Sequence, residues 1–378
     1  MLLARTAGQM VSLILLLFVL ERYGSSVLAG ATTFLSVAPG LAISPLAGTL
    51  LDRHGRSRLI VLDYLVAAVA LACIAGLSLA ASLPIPLFLA IVTAGSVTQP
   101  LSNIGMRTLF PLVVPRPLWE RANAIDSNGY VVSGIFAPAF AGALVGAVHG
   151  EGALVVTAAI FGTAAAVSRG LRDPETNVVR GDSLVRDALA GVRYFARHAT
   201  LRGLALSVST FNIAWGLFFI AIPVLLVQRL GQSPAVVGQL FALSGIAGFF
   251  SVLLFGRMGV AGRERRLLAA SMAAWAVAIV VVLLRGDVVA VALAMVIGGI
   301  ATGPFDIALF TLRQRRTDPA WLGRAFAVSM ALNFAGFPIG SALGGALAEN
   351  STALALTFAL IVSAGSALLT LAVLPREE

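Results

Sequence analysis

Apolar runs of about 17 to 28 residues alternate with short breaks along the whole 378-residue chain, and basic residues crowd into every second break. A helix needs roughly 20 apolar residues to cross a bilayer core of about 30 Å. Twelve segments qualify, at 2–20, 27–51, 59–81, 83–106, 122–148, 152–168, 201–228, 235–256, 267–284, 288–312, 323–347 and 351–374. A mean hydropathy of +0.96 would be hard to keep in solution, so the lipid bilayer is the expected surroundings. All 26 basic side chains are arginine, and only Arg22, Arg229 and Arg285 fall in the even-side breaks. Cationic loops stay cytoplasmic, which predicts both termini inside and an even number of spans.

The net charge of +9 is therefore an orientation signal. The arginines are spread over five inner loops and the termini, with no single patch for nucleic acid. Cys73 is the sole cysteine and lies in the third span, so no intrachain disulfide forms. His54, His149 and His198 lie in different loops on opposite sides, and no metal site or cofactor is expected from them. Arg5 ahead of the apolar run 11–20 has the order of a signal peptide, but its removal would leave eleven spans and misplace the following loops. The abrupt start suggests that a few native residues precede Met1.

The longest polar interruption, 169–202, divides the spans six and six. The expected organisation is an N-terminal six-helix bundle at 1–168, a cytoplasmic linker at 169–200 and a C-terminal six-helix bundle at 201–378. At a shift of about 204 residues Asp52-Arg53-His54-Gly55 falls on Gly256-Arg257-Met258-Gly259, and Gln99-Pro100 on Gly303-Pro304. At a shift of about 203, Arg121-Ala122-Asn123-Ala124 meets Arg324-Ala325-Phe326-Ala327. Duplicated halves of this kind suit alternating access to a site at mid-membrane. In the linker, Leu184, Val185, Ala188, Leu189, Val192 and Phe195 recur at helical spacing opposite Arg186, Asp187, Arg193 and Arg197, which predicts an amphipathic helix on the inner leaflet.

After the second span comes Gly48-Thr49-Leu50-Leu51-Asp52-Arg53-His54-Gly55-Arg56-Ser57-Arg58. Asp52 can accept from guanidinium groups or from free amides at a helix start, and Gly55 permits the turn. An ordinary cationic loop explains the arginines but not Gly48 and Asp52. This stretch resembles the loop between helices two and three of the major facilitator superfamily, G-x-L-x-D-R-x-G-R-[RK]-[RK], with Ser57 departing from the usual base. The resemblance implies an all-α membrane protein of twelve helices in two bundles. It also implies a cytoplasmic gate network of Gly48, Asp52, Arg53, Gly55, Arg56 and Arg58. The second copy, running from Gly256 to Arg263, has glycine in place of the acid.

Arg107-Thr108-Leu109-Phe110-Pro111-Leu112-Val113-Val114-Pro115, with Arg121-Ala122-Asn123-Ala124, looks like the macrolide-efflux and enterobactin-exporter-like branch, as does Gly191-Val192-Arg193-Tyr194 in the linker. The helix-five pattern of many drug/proton antiporters is only partly kept, at Gly134, Pro138 and Gly142. In that superfamily helices one, four, seven and ten line the cavity. Their polar residues here are Gln9, Ser12, Thr98, Gln99, Asn103, Asn212, Trp215 and Thr302, together with Asp306. So sparse a set suits an amphipathic small molecule.

A carboxylate at the centre of a spanning helix costs about 3 kcal/mol on insertion scales, so an acid there is telling. Asp306 is the candidate proton-coupling residue, and a structural pair with Arg313 or Arg107 is the alternative. Asp63 and Asp126 fall near the starts of helices three and five, where the helix dipole favours an anion, and with Arg107 and Arg313 they are gate-network candidates. Glu21 reads as a solvated interfacial acid.

The sequence thus predicts a proton-driven exporter of a drug, macrolide or siderophore-type molecule, acting as a monomer in a bacterial cytoplasmic membrane. An importer of a small nutrient and a sensor that has lost coupling remain alternatives. An enzyme is not expected, since G-x-S-x-G, H-x-x-x-D and the phosphate-binding G-x-x-x-x-G-K-[ST] are all missing.

Overall fold

The computed structural model describes residues 2–115, 118–170, 184–257, 262–318 and 321–375, and every regular element within them is helical. The helices are α1 (Leu2–Tyr23), α2 (Ser26–His54), α3 (Arg56–Leu79), α4 (Ile85–Val113), α5 (Trp119–Ser168), α6 (Leu184–Arg197) and α7 (Ala199–Val224). They continue with α8 (Pro234–Phe255), α9 (Glu264–Arg285), α10 (Val288–Arg316), α11 (Leu322–Phe334), α12 (Gly336–Asn350) and α13 (Thr352–Val373). In hydrocarbon each backbone N–H needs a partner within the chain, and a helix supplies one locally.

Among the described residues, eleven helical stretches are long and apolar enough to cross a membrane. One of them, Val132–Ser168, has 37 residues, nearly twice what a bilayer requires. It breaks at Val148 (φ −128°, ψ 17°) and His149 (φ 59°, ψ 174°), so α5 carries two spans joined by a corner. Twelve transmembrane helices result, as the sequence predicts. The span Val328–Asn350 is interrupted at Ala335, between α11 and α12, a break that the apolar pattern does not announce. The amphipathic stretch of the linker is helical, as α6.

The chain forms two compact units. The first comprises Met1–Tyr23, Leu35–Asp182 and Pro234–Gln239; the second comprises Gly24–Phe34, Ser183–Ser233 and Leu240–Glu378. In the first, α5 packs on α1 and α3, and α4 lies against α3. In the second, α7 packs on α12 and α13, and α9 on α10 and α13. Large apolar side chains such as Val69, Leu79, Phe250 and Leu368 are exposed, which suits a surface whose solvent is lipid.

Lipid offers no hydrophobic drive between helices, so close backbone approach has to supply the packing. Gly336, Gly340 and Gly344 form such a stripe on α12: a Cβ at Gly336 would land on the Ser209 carbonyl, one at Gly340 on the Ile213 carbonyl, and one at Gly344 3.0 Å from Leu217 Cα. The starts of α10 and α13 are capped by side chains. Asp287 Oδ1 accepts from Ala290 N at 2.7 Å at the start of α10, and Ser351 Oγ from Leu354 N at 3.3 Å at the start of α13.

Candidate functional site

In the first unit, α2 runs to His54, Gly55 turns with φ 89° and α3 starts at Arg56. Only glycine takes that backbone angle without strain, so the one-residue turn depends on Gly55. Gly48 and Asp52 lie in the last two turns of α2, with side chains outside the described residues. Arg53 and Arg58 are exposed and Arg56 is half-buried. Ala47 and Leu51 of α2 pack with Leu101 of α4, which fixes the end of α2 against the bundle. The side chains of Arg107 on α4 and Asp126 on α5 also fall outside the described residues.

Asp63 is not at a helix start. Because α3 begins at Arg56, Asp63 sits two turns inside it, 4% exposed, near Ser102 and Thr98 of α4, whose hydroxyls donate to the Gln99 and Gly95 carbonyls of their own helix at 3.3 Å. On the neighbouring strip of α4, Gln99 and Asn103 are four residues apart and exposed. On α1, Gln9 is exposed and Ser12 half-buried, while Thr6 Oγ1 lies 3.1 Å from Ser133 Oγ of α5.

The second unit holds the other candidates. Asp306 lies two turns before Arg313 on α10 and is largely enclosed, and no described residue pairs with it or donates to it. The expected alternative, a pair with Arg313, does not form: Arg313 is 1% exposed and its Nη1 donates to Met330 Sδ at 2.8 Å. With the Asn333 amide turned so that its nitrogen donates to the Ser329 carbonyl, Asn333 Oδ1 accepts from Arg313 Nη2 at 2.5 Å. Its guanidinium carbon also stands 5.8 Å from the Phe310 ring centre.

Asn212 Nδ2 donates to the Val208 and Asn333 carbonyls at 3.1 and 3.0 Å, so this amide ties α7 to α11. Thr302 Oγ1 returns to its own helix, donating to the Gly298 carbonyl at 3.0 Å. Trp215 belongs to an aromatic cluster: its ring centre is 5.0 Å from Trp275, 5.9 Å from Phe218 and 6.4 Å from Phe241. Gly298 makes room for Trp275, on whose ring a Cβ would fall.

The sequence profile of the Major Facilitator Superfamily matches residues 1–258 and, separately, 204–378. The chain belongs to the major facilitator superfamily. It is 38% identical over 381 residues, 99% of this chain and 93% of the relative, to an uncharacterized MFS-type transporter, y4rN, of Sinorhizobium fredii strain NBRC 101917 / NGR234. It is 23% identical to the multidrug efflux pump Tap of Mycolicibacterium fortuitum, over 91% of this chain and 87% of that one. A point mutant of the nucleoside transporter NupG has the same fold, with a TM-score of 0.75, 15% identity and 98% of each chain covered. The protein is thus a major facilitator transporter embedded in a membrane, with a small molecule as the expected substrate.

Several polar contacts of this transporter lie beyond what the sequence pattern signals. Glu21 is not merely solvated: its Oε1 lies 2.5 Å from His149 Nδ1, and its Oε2 accepts from Gly150 N at 2.9 Å, across the corner within α5. Beside it, Glu151 accepts from Ser78 Oγ at 2.7 Å and lies 3.7 Å from Arg22. In the second unit Glu264, 3% exposed in the first turn of α9, pairs with Arg315 at 2.9 Å. A lone acid among Arg263, Arg265 and Arg266 is the available signal. Tyr194 of α6 stacks on Trp321 with ring centres 5.0 Å apart, and its hydroxyl accepts from Asp318 N at 3.2 Å. The repeat copy at Gly256-Arg257-Met258-Gly259 lies partly outside the described residues.

Proposed function

We propose that this transporter exports an amphipathic or hydrophobic small molecule of drug, macrolide or siderophore type, driven by protons. The observation that carries the reading is Asp306, an acid on a membrane-spanning helix that no described residue neutralises. An ionised carboxylate in such a place is costly, so an acid kept there without a partner marks a functional site by default. Arg313, two turns away, is occupied by Met330 and Asn333 and leaves the acid free to exchange its proton.

Export is favoured over import by the similarity to Tap along most of the chain and by the character of the second unit's candidate surface. Trp215 with Phe219, Phe241 and Phe337 offers aromatic area, and Asn212 and Thr302 spend their hydrogen bonds on backbone carbonyls. That suits a ligand held by apolar contact with few polar anchors. In the first unit, the exposed amides Gln9, Gln99 and Asn103 would be expensive against lipid and suit a water-filled cavity. The arginine-rich ends, including Arg53, Arg56 and Arg58, face the cytoplasm in this reading, where they form a gate with Asp52. The surroundings are a bacterial cytoplasmic membrane, with the transporter acting as a monomer.

The test is accumulation of hydrophobic dyes and macrolides in a pump-deficient bacterial host, with and without a protonophore. Expression of the transporter should lower accumulation, and the protonophore should restore it. Unchanged accumulation across the panel, with saturable uptake of one nutrient instead, would overturn export.

A further inference from the structure

The linker helix α6 ends directly on α7, with His198 alone between them. The His198 N–H donates to the Tyr194 and Phe195 carbonyls, each at 3.1 Å. Arg202, in the first turn of α7, donates from Nη1 to the Ala196 carbonyl, a cation placed where the end of a helix leaves carbonyls unmet. So short a corner leaves α6 little slack at this end, and α6 packs on both α7 and α11.

Tyr194 fixes α6 to a further place, the connection between α10 and α11, and uses both parts of its side chain. The ring lies flat on Trp321, with centres 5.0 Å and planes 6° apart, and meets His198 of its own face at 5.5 Å. The hydroxyl accepts from Asp318 N at 3.2 Å. Asp318 directly follows Thr317, the C-cap of α10, and Trp321 is the N-cap of α11. Trp321 N donates to the Asp318 carbonyl at 2.8 Å, so the two residues that Tyr194 touches also hold each other. Around it on α6, Val192, Arg193, Ala196 and Arg197 are exposed, whereas Tyr194 is half-buried.

We infer that Tyr194 is a latch through which the linker helix braces the end of α10 and the start of α11. The two ends of α11 are held by unequal means. Beyond Ala335 the glycines of α12 press its backbone on that of α7, a contact that cannot open without separating whole helices. At Trp321 the hold is one ring stack and one hydrogen bond, which can open locally. Opening the latch frees the start of α11 and the end of α10, the helix that carries Asp306, and leaves α12 in place. The consequence for transport rests on the export reading above; the latch does not.

Hydrogen–deuterium exchange of the purified transporter in lipid nanodiscs, read by mass spectrometry, tests the latch. Tyr194→Phe keeps the ring and removes the acceptor, so exchange should rise about two- to tenfold in the peptide containing Asp318 and stay at the wild-type rate in α6. Tyr194→Ala and Trp321→Ala remove the stack as well. Exchange should then rise by roughly tenfold or more across α6, the end of α10 and α11, and should not change in α12. Arg193→Ala, at an exposed neighbour, is the control and should leave all four unchanged. Should Tyr194→Ala fail to fold, Tyr194→Phe and Trp321→Ala decide. Unaltered exchange at Asp318 in Tyr194→Phe, or an α6 as protected in the alanine variants as in wild type, overturns the latch. Faster exchange in α6 with α11 unaltered would make α6 a tether and overturn the brace. For a dye that the wild type exports, Tyr194→Ala should lower the maximal rate and leave the half-saturating dye concentration unchanged. Failure of the wild type to export any dye would remove the export reading and leave the exchange result standing.

Discussion

Glu349, at the C-terminal end of α12, holds Ser26 at the start of α2: its Oε2 accepts from the Ser26 hydroxyl at 2.6 Å and from the Ser26 and Val27 backbone nitrogens at 3.0 and 3.3 Å. The first N–H groups of a helix have no partner of their own, and the carboxylate satisfies two of them. One turn on, Gly30 and Gly345 let the backbones meet, since a Cβ at Gly30 would stand 2.9 Å from Gly345 Cα. Glu349→Ala should therefore lower stability by about 1 kcal/mol, the usual worth of a lost cap, and Glu349→Gln by less because an amide oxygen still accepts. Thermal unfolding in detergent reads this directly. Coincident midpoints for wild type and Glu349→Ala would sink it.

His149 carries a pH dependence at the corner within α5. Its pKa is raised above the ordinary 6.5, first by the hydrogen bond to Glu21 and second by that carboxylate's charge. The folded state thus binds the proton more tightly than the unfolded one. The stabilisation is complete below 6.5 and is lost as pH rises through the folded value. The unfolding midpoint of the wild type should fall over that interval, and His149→Gly should flatten the dependence while relieving the positive φ of 59°. An imidazole titrating below 6.5 by nuclear magnetic resonance would refute the assignment.

The legibility of this chain in its sequence divides along physical lines. Span positions follow from length and hydropathy, and the turn at Gly55 from a motif, because both are local properties. The depth of Asp63 escapes such a reading because the polar run Asp52 to Arg58 has the composition of a loop, yet all but Gly55 of it is helical. Cationic helix ends can extend beyond the hydrocarbon, so apolarity marks the membrane boundary and not the helix boundary. Pairs such as Glu21 with His149 and Glu349 with Ser26 join residues 128 and 323 positions apart, and no periodicity reports such a separation. The corner at Val148–His149 is visible only as a gap between two apolar runs.

The glycine stripe on α12 makes a packing prediction. Gly340 meets the Ile213 backbone so closely that any side chain must separate α7 from α12. Gly340→Leu should cost at least the roughly 1–3 kcal/mol typical of overpacking, and Gly340→Ala a substantial part of it. Gly365, around which an added Cβ meets nothing within 4 Å, is the control: Gly365→Ala should be neutral or slightly stabilising. The readout is the fraction of monodisperse protein on size-exclusion chromatography after heating. Equal losses at both positions would mean that close approach at Gly340 does not hold the helices together.

Asp306 gives the clearest separation of stability from function. No described residue hydrogen-bonds to its carboxylate, so replacing it with the nearly isosteric amide breaks no hydrogen bond among the described residues. Asp306→Asn should therefore melt no lower than wild type. If the acid carries the coupled proton, the same variant should lose efflux: dye accumulation should rise to that of cells lacking the transporter, and the protonophore should have nothing further to release. A variant that unfolds early would assign Asp306 to structure, because a merely structural acid should show its loss in the melt before it shows it in transport. A variant that melts normally and still exports against a gradient would leave the acid outside the coupling mechanism.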